Sequence, residues 1–330
     1  MEWTEVKIYT TTEGIEPLTA MLLETGITGI QVEDDDELKQ FVTTSSTYWD
    51  YVDEELLNKE KEDTRLIVYV SNNPYGNDIL MSVKEGLSRL KNSDIGLNLG
   101  KLTYDLIAAN DEDWLDKWKE FYKPFTVGNK LLVKPEWETV ENTENRIIFT
   151  INPGHVFGTG MHSSTQLCII NLEKYVTKKS EVLDLGCGSG ILSIISLLLG
   201  AKHANAIDID ANAVKTAYEN AALNGIEKNK YYVTSGNIID SKEIQDEIGY
   251  DKYDIIVANI IADVIISMAP IVKKSIKKDG IFISSGIIKD RVADVTSALD
   301  ENGFEIIDTA YKDEWVSVTA KIKTNQKLQG

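Results

Sequence analysis

The run Asp184-Leu185-Gly186-Cys187-Gly188-Ser189-Gly190 carries the densest chemical signal in the chain. An apolar strand pattern, Val182 to Leu185, precedes it, and Ile191-Leu192-Ser193-Ile194 opens a helix after it. Glycines there allow a tight turn and let the backbone approach a ligand closely. The helix start offers N–H groups without intrahelical partners. In open α/β sheets, ligands lie beyond the carboxyl ends of the strands. The turn alone therefore predicts a nucleotide-type ligand. The dinucleotide fingerprint is G-x-G-x-x-G. Here the third glycine falls one residue early, and an acidic residue, Asp184, stands before the first.

The second strand of this region ends Ala206-Ile207-Asp208-Ile209-Asp210, with Asp208 placed 22 residues past Gly186. A carboxylate at that point can accept both hydroxyls of a ribose. Asp210 competes for the role, but it also reads as the cap of a helix over 211–222, so Asp208 is favoured. After the third strand, Ser235-Gly236-Asn237 is positioned to meet an adenine. After the fourth, Asn259 sits at the strand's carboxyl end, where it is either a cap or a ligand-facing amide.

Upstream lies Asn152-Pro153-Gly154-His155-Val156-Phe157-Gly158-Thr159-Gly160-Met161-His162-Ser163-Ser164-Thr165, with two of the chain's three histidines. This glycine- and hydroxyl-rich loop lies just upstream of a helix predicted over Gln166–Tyr175, which leads into the first sheet strand, and it can fold over a bound ligand as a lid. His162 is a candidate proton acceptor, or else a packed loop histidine.

Taken together, Pro153-Gly154, Phe157-Gly158-Thr159-Gly160, His162, Thr165, the glycine turn through Leu192, Ile207–Asp210, Ala258-Asn259-Ile260, Ser285-Gly286-Ile287 and Glu314-Trp315 resemble the ribosomal protein L-11 methyltransferases. The likeness is strong over 110–320 and weaker over 1–110. It implies an α/β class I methyltransferase domain, Rossmann-like with a seven-stranded sheet, behind an N-terminal α+β ferredoxin-like domain that recruits substrate. It implies S-adenosylmethionine as cofactor and N-methylation of lysine side chains and of the N-terminal amine of a basic ribosomal protein, L-11. Carried over by position, the cofactor residues are Thr165, Gly186, Asp208 and Asn259, with Asp184, Gly188, Asn237 and Phe157 completing the expected set. Asn259 and His162 are the expected catalytic residues, and no metal is expected. Ser163-Ser164 departs from the family's usual pair before the last loop threonine. The stretch 43–63 is longer than the minimal family form.

The elements that must hold these residues follow from periodicity. Strands are predicted at 181–185, 203–208, 230–234, 252–258 and 280–285, alternating with helices, as in parallel βαβ units. Two further strands, 304–309 and 315–321, suggest a terminal hairpin. Over 1–107 the order β-α-β-β-α-β is that of the ferredoxin-like split βαβ: strands at 4–9, 27–32, 66–70 and 100–107, helices at 15–25 and 79–90. A helix at 111–123, capped by Asp111, is read as a connector. The resulting division is 1–109, a helical connector 110–146, and a methyltransferase domain 147–323.

Net charge is −19, and residues 1–110 hold 9 Lys+Arg against 21 Asp+Glu. Such a surface repels a phosphate backbone and attracts a basic partner. No apolar run reaches the roughly 18 residues of a membrane span. The start is acidic, unlike a signal peptide, and two cysteines make no disulfide framework. The expectation is a cytoplasmic monomer with no nucleic-acid or membrane partner. A class I enzyme acting on another protein or a small amine is the nearest alternative reading; a nicotinamide dehydrogenase is disfavoured by the glycine spacing.

Overall fold

The computed structural model describes residues 3–27, 29–34, 64–93, 96–107, 122–141, 143–152 and 156–324. The chain forms two compact units, Met1–Phe121 and Tyr122–Gly330. The predicted helix at 111–123, apart from its last two residues, and the excursion at 43–63 lie outside the described residues, as do Pro153, Gly154 and His155.

In the first unit, β1 (Trp3–Tyr9), α1 (Ile15–Glu24), β2 (Ile30–Glu33), β3 (Arg65–Ser71), α2 (Pro74–Asn92) and β4 (Tyr104–Ile107) follow in the expected order. The four strands form one antiparallel sheet, β2-β3-β1-β4. β1 alternates as its sequence does: Val6 and Ile8 are buried, while Trp3 is 53 % exposed. Helices α1 and α2 pack together and against β3. Two boundaries move for local reasons. Asn73 caps α2 by accepting from the Gly76 N–H at 2.8 Å, which starts that helix earlier than its apolar spacing suggests. Gly100 and Leu102 take positive φ, which shortens β4 to its last four residues.

In the second unit, β5 (Phe125–Val127), β6 (Leu131–Pro135) and β7 (Ile147–Ile151) make a small sheet. This corrects the helical reading of 110–146 over its described part: residues 122–135 carry two strands and belong to the second unit. β5 pairs antiparallel with β6, and β6 pairs parallel with β7, which lies later in sequence.

Then come α3 (Ser163–Tyr175), β8 (Glu181–Leu185), α4 (Ile191–Leu198), β9 (His203–Asp208), α5 (Ala211–Leu223), β10 (Tyr231–Ser235), α6 (Lys242–Ile248), β11 (Tyr253–Asn259), α7 (Ala262–Ser275), β12 (Ile276–Ile288), α8 (Val292–Glu301), β13 (Phe304–Lys312) and β14 (Trp315–Ile322). The sheet order is β10-β9-β8-β11-β12-β14-β13. Strands β8 to β12 run parallel, and the β13–β14 hairpin joins antiparallel to β12. Residues 182–185 are buried throughout, as a strand covered on both faces must be. The chain winds from β8 outward through β9 and β10, then crosses to put β11 on the other side of β8. The strand order reverses there, and such switch points are where open α/β sheets bind ligands. Among the described residues, no helix is long and apolar enough to cross a membrane.

One polar clasp fastens the small sheet to the large one. On α5, the Asn224 carboxamide accepts from the Thr150 N–H at 2.8 Å and donates to its carbonyl at 2.6 Å. One turn earlier, fully buried Asn220 accepts from the Asn152 N–H at 2.8 Å and donates to the Ser189 carbonyl at 2.9 Å. Replacing it leaves two buried backbone groups unpaired, each costing roughly 1–3 kcal/mol. Asn220→Ala is expected to lose about 2–4 kcal/mol in urea unfolding, with part-exposed Asn224→Ala losing less.

Candidate active site at the sheet switch point

The expected residues converge at the carboxyl ends of β8, β9 and β11. In the register, Asp184 pairs with Val257, two residues before Asn259, and Asp208 pairs with Ser235 at the end of β10. The glycine turn between β8 and α4 forms the floor. Gly188 has φ +50°, and a Cβ there would sit 2.6 Å from the Phe157 carbonyl; at Gly186, φ +72°, it would sit 2.6 Å from Ile260. Both conformation and space select glycine.

The carboxylates are held differently. Asp208 accepts from the Gly188 N–H at 2.8 Å through one oxygen and from the Asp210 N–H at 3.0 Å through the other. Its orientation is thus preset by the turn, while burial pushes its pKa up. Asp210, the competing ribose candidate, caps α5 by accepting from the Asn212 N–H at 2.8 Å. Asp184 is fully buried; one oxygen accepts from the Ser193 N–H at 3.0 Å, and Oδ1 has no partner. Burial pushes its pKa up to about 7. Asn259 donates from Nδ2 to Thr165 Oγ1 at 3.0 Å, and its Oδ1 is likewise buried without a partner. Two acceptors at neighbouring strand ends therefore lack donors. That is the signature of a site for a cationic or N–H-bearing group.

Asn237 is placed after β10 as expected, but its side chain is used locally. Its oxygen accepts from the Ile239 N–H at 3.0 Å and its amide faces Asp240.

The loop from 156 to 162 crosses directly over the glycine turn. The Phe157 carbonyl accepts from the Ser189 N–H at 3.0 Å, the Gly158 carbonyl accepts from Ser189 Oγ at 2.7 Å, and the Thr159 carbonyl accepts from the Tyr122 hydroxyl. Between loop and floor lies a narrow cavity of about 10 Å³, bounded by Phe157, Thr165, Gly186, Cys187 and Asn259. That is room for about one water, so the loop lies almost in contact with the floor and a ligand there needs the two to part.

His162, the candidate proton acceptor, is buried. Its Nδ1 faces Ser164 Oγ at 2.7 Å and accepts from the Ser164 N–H, so that it caps α3, which begins at Ser163 rather than at the expected Gln166. Its ring lies edge-on to Phe157, 5.7 Å between centroids, and to Trp315 at 4.6 Å. Burial holds its pKa down to about 4 against the opposing pull of Asp313. The ring is thus neutral near pH 7, committed to capping and packing.

Three contributors escaped the sequence reading. Ser189 and Asn220 bind backbone groups remote in sequence, for which no spacing rule exists. Ile209 is 73 % exposed beside Asp208, an apolar side chain offered where an apolar ring face would cover it; its place between two acidic residues was the available signal.

The buried charge on Asp184 yields a signed prediction. Its folded pKa of about 7 lies above the ordinary 3.8, so the native state binds the extra proton. Stability is then highest at acid pH and falls as pH rises from about 4 through 7. Asp184→Asn removes the penalty. Its melting temperature at pH 8 is expected to exceed that of the unsubstituted chain by roughly 5 °C, the difference vanishing toward pH 4. A pH-independent difference would contradict the assignment.

Comparison with known proteins gives the family. The family model described as "Ribosomal protein L11 methyltransferase (PrmA)" matches residues 2–323. A ribosomal protein L11 methyltransferase of Alkaliphilus oremlandii is 38 % identical over 328 residues, covering 98 % of this chain and 99 % of the relative. One from Ruminiclostridium cellulolyticum is 40 % identical over 321 residues, covering 97 % and 98 %. Among solved structures, a ribosomal protein L11 methylase from Lactobacillus delbrueckii subsp. bulgaricus superposes with a TM-score of 0.56 at 32 % identity, covering 62 % of this chain and all of that one. With a doubly wound seven-stranded sheet, a glycine turn at its switch point and a family match over nearly its whole length, the chain belongs to the ribosomal protein L11 methyltransferase family.

Proposed function

We infer that this chain transfers methyl groups from S-adenosylmethionine to amino groups of ribosomal protein L11, at lysine side chains and the N-terminal amine, in the cytoplasm. The observation that carries the reading is the convergence of Asp184, Asp208, Thr165 and Asn259 around the glycine turn in a chain of this family. The residues fit the cofactor, because Asp184 Oδ1 and Asn259 Oδ1 are buried acceptors in need of donors or positive charge. When bound, S-adenosylmethionine supplies an electrophilic methyl on a sulfonium.

Each part of the cleft then has a physical task. Asp208, oriented by the Gly188 N–H, would receive the ribose hydroxyls, and exposed Ile209 would cover an adenine face. Asp184, buried and without a cation of its own, favours a positively charged ligand beside it. The loop over the turn, hydrogen-bonded to Ser189, would shield the bound cofactor from water. The accepting amine must arrive neutral, because a protonated amine has no lone pair. A lysine pKa of roughly 10.4 makes that form scarce at pH 7. Asn259 Oδ1, an acceptor without a partner, would hold an amine N–H. We place His162 among the positioning residues, since its Nδ1 is spent on Ser164 and its ring is wedged between Phe157 and Trp315.

The first unit is assigned to substrate recruitment. Its sheet presents Trp3 and half-exposed Tyr69 on the side away from Val6 and Ile8, with Glu5 and Asp105 beside them. Its acidic excess suits a basic protein.

Incubating the full chain with labelled S-adenosylmethionine and total ribosomal protein, followed by mass spectrometry, is expected to label L11 on lysine and N-terminal amines. Labelling of a different protein instead would refute the substrate. Raising salt from 50 to 500 mM should increase KM for the protein substrate severalfold with little change in KM for the cofactor. Ile209→Asp should weaken S-adenosylmethionine binding about tenfold or more in calorimetry.

A further inference from the structure

The first turn of α3 is held from outside by the tip of the β13–β14 hairpin, 150 residues away in sequence from Ser163 to Asp313. Ser163 Oγ donates to Asp313 Oδ2. Lys312 Nζ donates to Gln166 Oε1, and the same carboxamide donates from Nε2 to the Met161 carbonyl at 2.9 Å. Trp315, buried at the start of β14, meets the His162 ring at 4.6 Å. The hairpin thus reaches His162, Ser163 and Gln166, the three residues that bracket Thr165. Thr165 Oγ1 is the acceptor that fixes Asn259.

We propose that this hairpin tip is a positioning element for the methyl-transfer site, with Asp313 acting through Ser163 to set the hinge where the loop over the cofactor passes into α3. The physical need is specific. α3 has no acidic residue in its first turn, and its cap, His162, is neutral. A helix start favours negative charge nearby, and Asp313 delivers it from another element. Asp313 sits at φ +52°, a left-handed turn conformation that aspartate tolerates better than most residues. Ser163-Ser164, the pair that departs from the family pattern, has both hydroxyls engaged here, one by Asp313 and one by His162.

The inference rests on the cofactor reading above, so its test has two independent readouts on the full-length protein. One is amide hydrogen exchange of residues 156–165 without ligand. The other is the Kd for S-adenosylmethionine by calorimetry. Ser163→Ala and Asp313→Gly, the latter compatible with positive φ, should each speed exchange in this segment. Each should also weaken cofactor binding about threefold to tenfold, the worth of one hydrogen bond to a charged group. The double variant should be no worse than either single. Asp313→Asn, which keeps an acceptor but not the charge, should recover part of the original behaviour. Unchanged exchange in both singles, or effects that multiply in the double, would overturn the proposal. A chain that failed to bind S-adenosylmethionine at all would defeat the functional reading, while the exchange cycle would still decide the hinge.

Discussion

The backbone of residues 156–162 belongs to neither β7 nor α3, yet it runs largely buried across the glycine turn. Polar backbone groups in such a place need partners, and the rest of the site depends on where they find them. Ser189 satisfies the Phe157 and Gly158 carbonyls, and Asn220 satisfies the Asn152 N–H and returns to the Ser189 carbonyl. Loop and turn are thereby one hydrogen-bonded body. The closeness of that contact is why position 188 can carry no side chain. The same body fixes the distance between Thr165 on the loop side and Asn259 on the sheet side.

Beneath this clasp the protein accepts an electrostatic cost. Asp184 is a carboxylate without a cation, and Asp208 is buried deeply enough for its pKa to rise. A scaffold built for stability alone would place neither there. Strand ends at a switch point expose several backbone and side-chain groups to one small volume. That density lets a ligand bearing positive charge and N–H donors offset what the folded chain leaves uncompensated.

Legibility in the sequence followed the range of the interactions responsible. The strands of the large sheet stand out because runs such as Val182–Leu185 are buried on both faces, and their apolar character survives any tertiary arrangement. The split βαβ order of the first unit was equally plain from periodicity. Residues 122–135 were misjudged as part of a helical connector, because three- to five-residue strands carry too little pattern to outweigh a preceding helix signal. The start of α3 was misplaced by three residues because a histidine cap is an unusual one.

Sequence by itself determined the chemistry: the glycine turn, the acidic residues at 184 and 208, the asparagine at 259 and the threonine at 165, since residue type and spacing along one strand–turn–helix unit are local properties. Tertiary structure alone decided how those groups are oriented and what each is free to do. It turned His162 from a candidate proton acceptor into a neutral cap wedged between two aromatic rings. It assigned Asp210 to a helix start and Asp208 to the turn. It also brought Asn220 and Asp313 to the loop from elements whose separation in the chain no periodicity can bridge. A hydrogen bond needs both partners placed to within an ångström, and only the folded packing of distant elements sets distances that finely.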